Sequence, residues 1–432
     1  MSSILTNNSA SIALQTLKAI NSEMSTVQAE ISTGKKVARP GDNSAVWAIA
    51  KTMEADVAGF KTISDNLNLG NSTVAVARQG AETITDLLTD MKGKIVAAQE
   101  DNVDRSKIQA DIEALTTQIN DIAKAAQFNG ENLLQNQSTD AGSGSINIMA
   151  SLDRYSTGVT TTTMNVKKQD LSTNASTVAA SGGTYAADAA TATLNATQTA
   201  TIDASSLVAE AGAAFSISVF GTDADDSSFT QANYRSTAAA TETQAEMAAG
   251  DLTYVAAEGD TMADVVNALG KKWQAFAHSN DHTSDELSLT FSGSTISLSS
   301  NVTTGSDTIQ VAINRLDADA GNTIGGGLEA LSSLDVSTAS GADDALGQIE
   351  GLIQVAVEAS AAFGSDQGRI ETQSNFIGKL TDSLKSGIGA LTDANMEESS
   401  AKLQALQVQQ QLAVQALSIA NQSPSTLLAL FR

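Results

Sequence analysis

The chain has 432 residues, of which only 4% are aromatic, and its formal net charge is −25 at pH 7. So acidic a protein repels the phosphate backbone of nucleic acids, and we expect no nucleic-acid partner. The absence of cysteine excludes disulfides, thiolate metal ligands and cysteine nucleophiles. No run approaches the roughly 18 apolar residues that a membrane span needs, so we expect no membrane partner. Met1 to Ala19 lacks the basic cluster and apolar run of a cleavable secretory signal, which implies another route if the protein is exported.

The first predicted helix carries apolar residues spaced alternately three and four apart, which is the pattern of a heptad seam. These residues are Leu17, Ile20, Met24, Val27 and Ile31. The pattern stops at Gly34, and Pro40 and Gly41 follow soon after. Because glycine frees the backbone and proline removes a donor, we predict a helix break here.

Helical spacing then resumes in three long stretches. It runs from Val46 through Ile49 and Met53 to Ala98, from Ile108 to Ala126, and again near the C-terminus from Leu346 to Leu391. After Gly70, the apolar residues of the first stretch are Val74, Ala77, Ala81, Ile84, Leu88, Met91, Ile95 and Ala98. The second stretch ends at Phe128-Asn129-Gly130, a turn sequence. We expect these helices to pack mainly within one subunit.

The last helix is predicted to be apolar on more than one face. Its large apolar residues are Leu403, Leu406, Val408, Leu412, Val414, Leu417 and Ile419. Such a helix must be buried on more than one side. The N-terminal helix covers only part of this surface, so the seams at both ends favour self-association.

The middle, about 147–340, is rich in Thr, Ser, Ala, Asp and Gly. Three segments alternate with a period of two and are predicted as half-buried strands: Phe215, Ile217 and Val219; Leu287, Leu289 and Phe291; and Ile309, Val311 and Ile313. A helix is predicted from the N-cap Thr261, with Asp264 three residues on to complete a capping box, through Phe276. The patterns therefore predict a mainly α fold, with long helices at both ends of the chain and a β-rich insertion between them.

The sequence contains few residue patterns that are typical of catalytic or metal-binding sites. His278 and His282 are four apart, but the zinc-protease motif requires Glu where the chain has Ser279. The acidic clusters are typical of solvated faces, and Asn-x-Ser/Thr at Asn174, Asn195 and Asn301 is expected by chance in so polar a region. We predict no catalytic, metal or cofactor site.

Several motifs at the two ends are similar to those of bacterial flagellin. They are Leu-Thr-Asn-Asn-Ser-Ala at 5–10, Ile-Ser-Thr-Gly-Lys-Lys at 31–36, Pro-Gly-Asp-Asn-Ser-Ala at 40–45, Phe-Asn-Gly-Glu-Asn-Leu-Leu at 128–134, and a closing signature with Pro424, Leu427, Leu428, Leu430 and Arg432. They cover roughly 1–150 and 330–432 and occur in the family's order.

The resemblance implies a structural subunit that polymerises into the flagellar filament used for swimming. It implies that 1–43 and 397–432 pair as long antiparallel helices in an inner-tube coiled coil, that 44–146 and 341–396 form an outer-tube helical bundle domain, and that 147–340 is a variable outer α+β domain at the surface. The implied location is extracellular, after unfolded export through the flagellar type III apparatus. The implied partners are other subunits, an export chaperone, the filament cap and hook–filament junction proteins.

One stretch departs from the family pattern. Many flagellins carry an Arg-Glu-Leu-type segment that a vertebrate Toll-like receptor recognises, whereas this chain has Asp-Met-Lys-Gly-Lys-Ile-Val at 90–96. We therefore do not carry receptor recognition over. Three alternatives stay open: a hook–filament junction protein, which shares the terminal helices, a secreted enzyme on the same scaffold, and a type III secreted adhesin or effector.

Overall fold

A computed structural model describes residues 7–155, 158–222, 241–250, 252–279, 286–301 and 308–430, with side chains of the last helix described as far as Gln422. The helices in this part of the chain are α1 (Asn8–Thr33), α2 (Ser44–Ala98), α3 (Arg105–Ala125), α4 (Gln244–Ala249), α5 (Met262–Ser279), α6 (Ala339–Thr392) and α7 (Met396–Leu430). The chain divides into two compact units. Unit 1 comprises 1–65, 151–160 and 374–432, and unit 2 comprises 66–150 and 161–373.

The strands range from 2 to 11 residues in length, and almost all lie in the middle of the chain. They are β1 (Gln127–Phe128), β2 (Glu131–Asn132), β3 (Ser145–Tyr155), β4 (Gly158–Lys167), β5 (Tyr185–Asn195), β6 (Thr199–Asp203), β7 (Ala214–Thr222), β8 (Thr253–Val255), β9 (Leu287–Ser292), β10 (Thr295–Ser300) and β11 (Thr308–Leu316). Together with the long terminal helices, they confirm a mainly helical chain with a β-rich insertion.

In unit 1, α1 and α7 form an antiparallel pair. The Asn7 side chain donates to the Ala420 carbonyl at 2.8 Å, and Gln410 Nε2 donates to Asn21 Oδ1 at 2.7 Å. Further along, Ser399 Oγ donates to Glu30 Oε2 at 3.2 Å. Residue numbers rise on one helix as they fall on the other, as the family resemblance implies.

The predicted helix break lies where the spacing places it. Gly34 ends α1 in the left-handed region, with φ of 69°. The main chain that follows pairs with the α6–α7 connection, because the Lys36 and Val37 N–H groups donate to the Thr392 carbonyl and Ala394 N–H donates to the Gly34 carbonyl. The Asp42 carboxylate accepts from two N–H groups and closes the turn that contains Pro40 and Gly41.

The helices of unit 2 pack along the predicted stripe of small and aliphatic residues on α2. Its members are at most 1% exposed: Val74, Ala77, Ala81, Ile84, Leu88, Met91, Ile95 and Ala98. The loop after α3 folds back onto α2 at Gly80, where an added Cβ would lie 2.8 Å from Leu134 Cδ1. In the unit 1 part of α2 the prediction was wrong for Ile49, which is 53% exposed while its neighbour Ala50 is buried.

The insertion in unit 2 is built from two antiparallel sheets and α5. One sheet has the strand order β5-β11-β7-β8, and the other has the order β6-β10-β9. The apolar face of α5, with Val265, Leu269 and Trp273, packs into the core formed by both sheets. The predicted capping box starts this helix, since Thr261 N–H donates to Asp264 Oδ2 at 2.8 Å.

The prediction of half-buried strands was wrong for β7, which is covered on both faces. Its polar side holds the buried residues Ser216 and Ser218, and Asn314 Nδ2 donates to both hydroxyls at 3.1 Å. The same amide donates to Glu242 Oε2 at 2.6 Å. Hydrogen-bonded polar groups tolerate burial, which explains how Ser, Asn and Glu occupy an interior position.

A second polar joint ties the start of α5 to the chain around β3 and β4. Asn136 Nδ2 donates to the Glu258 carbonyl at 3.1 Å, and Gly142 N–H donates to Glu258 Oε1 at 2.9 Å. Lys167 Nζ lies 2.9 Å from Asp264 Oδ2. Burial alone would raise the pKa of Asp264, but hydrogen bonds from Thr261 and Lys167 outweigh it and lower that pKa.

Candidate assembly surface

Eight of the twelve residues predicted for the filament interface line the contact between α1 and α7. We call this contact the seam. On α1 it contains Leu17, Ile20, Met24, Val27 and Ile31, and on α7 it contains Leu403, Leu406 and Leu417. All eight are at least partly buried, and burial is deepest at Val27 (1% exposed) and Leu406 (3% exposed). The seam therefore holds the chain's own two terminal helices together.

The other four predicted residues point away from the seam. Val408, Leu412, Val414 and Ile419 are between 51% and 70% exposed. On α1, Ile12 and Leu14 are also exposed, at 65% and 45%. We call these six residues the exposed face, although at about 100° per residue they lie on more than one side of the helix pair. Large aliphatic side chains in this number on paired helices indicate a surface that another protein surface covers.

Sequence reasoning missed Ile12 and Leu14. A signal was available, because extending the three-four spacing back from Leu17 leads to Ala13 and Ala10. Ile12 and Leu14 therefore fall beside the seam, and bulky aliphatic residues beside a seam have no partner within the helix pair.

Exposed apolar residues are concentrated in unit 1 as a whole. Of 16 large apolar residues that are exposed in the described part of the chain, 12 belong to unit 1 and four to unit 2. Besides the exposed face, the unit 1 members are Ile49, Tyr155, Val159, Phe376, Leu391 and Met396. Unit 2 spans more than twice as many residues, so chain length does not explain this distribution.

The excess of acidic residues, in contrast, lies in unit 2. Unit 1 has 11 Lys and Arg against 11 Asp and Glu, whereas unit 2 has 13 against 38. The whole net charge of −25 therefore belongs to unit 2. A neutral, apolar surface favours close packing of identical copies, because like charges do not oppose it.

The remaining predicted residues lie as follows. Gly34 has no atom within 4 Å of the position an added Cβ would take, and the same holds for Gly41. In the closing signature, the side chains of Pro424, Leu427, Leu428 and Leu430 lie outside the described residues, and so does Arg432 altogether.

The histidine pair is represented by His278 alone, since His282 lies outside the described residues. His278 Nε2 is 3.0 Å from the Asp343 carbonyl oxygen, and its ring packs on Gly347. Across the described ranges, no group of three or more His, Asp or Glu side chains is arranged to hold a metal ion. His278 on α5 therefore packs against α6 and takes part in the contact between these two helices.

Among the helices that the structure describes, none combines the length and the apolar character that a membrane crossing requires.

Comparison with known proteins identifies both ends of the chain. Residues 4–139 match the model of the bacterial flagellin N-terminal helical region, and residues 346–431 match the model of the bacterial flagellin C-terminal helical region. Flagellin A of Rhizobium meliloti is 35% identical and flagellin B is 36% identical, and each alignment covers all of both chains. Flagellin FljK of Caulobacter vibrioides is 29% identical over all of this chain and 99% of its own.

Among solved structures, hook-associated protein 3 from Legionella pneumophila is 10% identical, with a TM-score of 0.34 over 79% of this chain and 98% of its own. The full-length matches to flagellins decide between the alternatives, because they extend through the insertion as well as the ends. The chain belongs to the bacterial flagellin family, whose members are structural, non-enzymatic subunits of the extracellular flagellar filament.

Proposed function

We propose that this flagellin polymerises through unit 1, with the exposed face of α1 and α7 buried against neighbouring subunits. The observation that carries the proposal is the coincidence of exposed apolar residues and electrical neutrality in unit 1. Burying apolar area contributes about 25 cal/mol per Å², and a neutral unit loses none of this to self-repulsion.

The seam has a separate role in this proposal. Leu17, Val27 and Leu406 hold α1 against α7, and the pair then presents Val408, Leu412 and Ile419 outward. The twelve interface residues expected from the sequence thus divide into a seam that shapes the helix pair and a face that contacts other copies.

The domain assignment carried over from the family is part of the same proposal. In this proposal 1–43 and 397–432 form the inner-tube coiled coil, and 44–146 and 341–396 form the outer-tube helices. Residues 147–340 form the variable surface domain. The helix break with Gly34, Pro40 and Gly41 connects the first two layers, and its hydrogen bonds to Thr392 support a fixed connection.

Export and the remaining partners complete the proposal. We infer passage through the flagellar type III apparatus in an unfolded state, which a chain without cysteine crosses free of disulfides. An export chaperone, the filament cap and hook–filament junction proteins are the expected partners beyond other flagellin subunits. The Lys92-Gly93-Lys94 departure gives no support to Toll-like receptor recognition.

The test is the double substitution Leu412→Ala and Ile419→Ala, both on the exposed face. Alanine favours helix, so the monomer keeps its helical content. Losing two aliphatic side chains from a buried interface raises the critical concentration for polymerisation by at least about tenfold. The measurements are sedimentation and electron microscopy of polymer, with circular dichroism of monomer.

The matched control is Gln404→Ala with Gln411→Ala, two exposed polar positions on the same helix. It is expected to polymerise like the wild type. Wild-type polymerisation by the Leu412 and Ile419 variant overturns the assignment of the exposed face.

A further inference from the structure

The connection between β1 and β2 consists of two residues, Asn129 and Gly130. No other asparagine in the sequence is followed by glycine. The residues on either side of the connection, Phe128 and Glu131, are paired across the two strands. Asn129 has φ of 52° and Gly130 has φ of 87°. Positive φ at both central residues defines a type I′ turn, whereas a type II′ turn has positive φ at the first central residue only.

An Asn-Gly pair is chemically labile, because glycine has no side chain to hinder the main-chain nitrogen that follows the asparagine. The Gly130 nitrogen loses its proton and bonds to Asn129 Cγ, the bond from Cγ to the side-chain nitrogen breaks, and ammonia leaves. Water then opens the resulting five-membered imide to aspartate or to isoaspartate. Water is the one co-reactant, and both residues are exposed to it.

The type of turn decides whether the Gly130 nitrogen reaches Asn129 Cγ. Closing the imide ring requires this nitrogen to eclipse the Cα–Cβ bond of Asn129. In the left-handed region the carbonyl oxygen of a residue lies close to its own Cβ. The peptide is planar, so the next nitrogen lies on the other side of the carbonyl carbon and points away from the side chain. A type II′ turn, with ψ of about −120° at its first central residue, would bring the nitrogen to the side chain instead.

The residues that follow the turn hold it in place. Asn132 Nδ2 donates to the Ala123 carbonyl at the end of α3 at 2.8 Å, and Leu134 N–H donates to Asn132 Oδ1 at 2.8 Å. Leu133 and Leu134 are at most 1% exposed. Because water reaches the turn, conformation rather than burial keeps Asn129 unreactive.

We propose that Asn129 is a deamidation site that the folded turn protects, so that deamidation there marks chains that have spent time unfolded. This modification is independent of assembly. Aspartate at position 129 is compatible with the turn, because Asp tolerates the left-handed conformation. Isoaspartate adds a main-chain carbon to the connection, which then no longer fits the pairing of Phe128 with Glu131. An isoaspartate chain therefore loses the native connection after α3.

The experiment follows deamidation of the full chain, folded in buffer and unfolded in urea. Trypsin releases the peptide 125–154, and tandem mass spectrometry locates the gain of about 1 Da that converts an amide to a carboxyl group. Asn129 is expected to react at least about tenfold faster in the unfolded chain, because the folded chain reacts only through local opening. A synthetic peptide of residues 125–134, measured with and without urea, corrects for any effect of urea on the chemistry.

The substitution Asn132→Ala tests the protection within the folded chain. Loss of the two hydrogen bonds of Asn132 is expected to raise the deamidation rate of Asn129 about fivefold. The matched control is Gln127→Ala, an exposed residue opposite Asn132 in the same hairpin, and it is expected to react at the wild-type rate. Circular dichroism checks that both variants fold.

Three results would overturn the proposal. Equal rates in the folded and the unfolded wild type would mean that the fold gives no protection. Faster deamidation at another asparagine of the unfolded chain would mean that Asn129 is not the labile site. Equal rates in the two folded variants would mean that the turn is not the controlling element.

Discussion

At Gly144 the main chains of two distant segments meet without space for a side chain. A Cβ at this position would overlap the carbonyl group of Glu258. The surrounding joint is polar and directional, with Asn136 and Gly142 donating to the same Glu258. Both segments belong to unit 2. Because Gly144 has no side chain, the start of α5 can lie directly against the chain before β3.

Gly144→Ala is expected to destabilise unit 2 by about 1–3 kcal/mol, because neither backbone moves cheaply. Gly93→Ala is the control, since Gly93 lies within α2 and has no atom within 4 Å of an added Cβ. That substitution is expected to stabilise the helix by up to about 1 kcal/mol. Thermal unfolding of the monomer measures both, and a neutral Gly144→Ala contradicts the contact.

Gly34 and Gly144 differ in whether their structural roles can be predicted from the sequence. Gly34 ends a visible apolar pattern and is followed by Pro40, so the break was predictable from local residues alone. Gly144 owes its role to Glu258, far along the chain, and nothing in the residues around it signals that contact. Exposure of Ile49 was unpredictable for a similar reason, because the spacing fits either Ile49 or Ala50.

At the scale of elements, helix α5 makes a buried apolar contact on one face and an exposed ion pair on another, and the two differ in how much they stabilise the fold. Its apolar face includes Leu269, which is fully buried between the two sheets. Its polar face includes Lys271, whose Nζ lies 2.8 Å from Glu358 Oε2 with both side chains substantially exposed. The ion pair is well formed, but water and salt screen it, so burial decides the stability of the helix.

Leu269→Ala is expected to cost about 2–5 kcal/mol in the free energy of unfolding, whereas Lys271→Ala is expected to cost at most about 1 kcal/mol. Denaturant unfolding of the monomer gives both values. Comparable losses for the two variants would mean that the ion pair, rather than the core, holds α5.

The predictability of elements follows the strength of their periodicity. The α2 stripe and the α5 capping box are local patterns, and both were predicted with their residues. The hairpin of β3 and β4 was not, because the four threonines at 160–163 interrupt any alternation of apolar and polar residues. The burial of Ser216 was also missed, since its partners Asn314 and Glu242 come from other segments.

For the whole molecule, unit 1 draws on both ends of the chain. α1 has α7 as its partner along the seam, and α7 supplies four of the six residues of the exposed face. Removal of 397–432 therefore takes away both the partner of α1 and most of the face that we assign to subunit contact. The cores of the two sheets in unit 2 contain no residue from this segment.

Deletion of 397–432 is expected to abolish polymerisation, to expose the amides of α1 to hydrogen exchange, and to leave the unfolding of the insertion unchanged. Electron microscopy, hydrogen exchange and calorimetry of the truncated chain test the three statements. Filaments formed by the truncated chain contradict the assignment of subunit contact to α7.

The pairing between the α1–α2 and α6–α7 connections has a mechanical consequence. Lys36, Val37 and Ala394 contribute N–H groups there, and Gly34 and Thr392 contribute carbonyls. The two connections are therefore joined by main-chain hydrogen bonds. Most substitutions at these positions leave those bonds in place, and only proline removes a donor. Because the two connections are hydrogen-bonded to each other, we expect a rotation of one connection to be transmitted to the other, and so from one terminal helix to its partner.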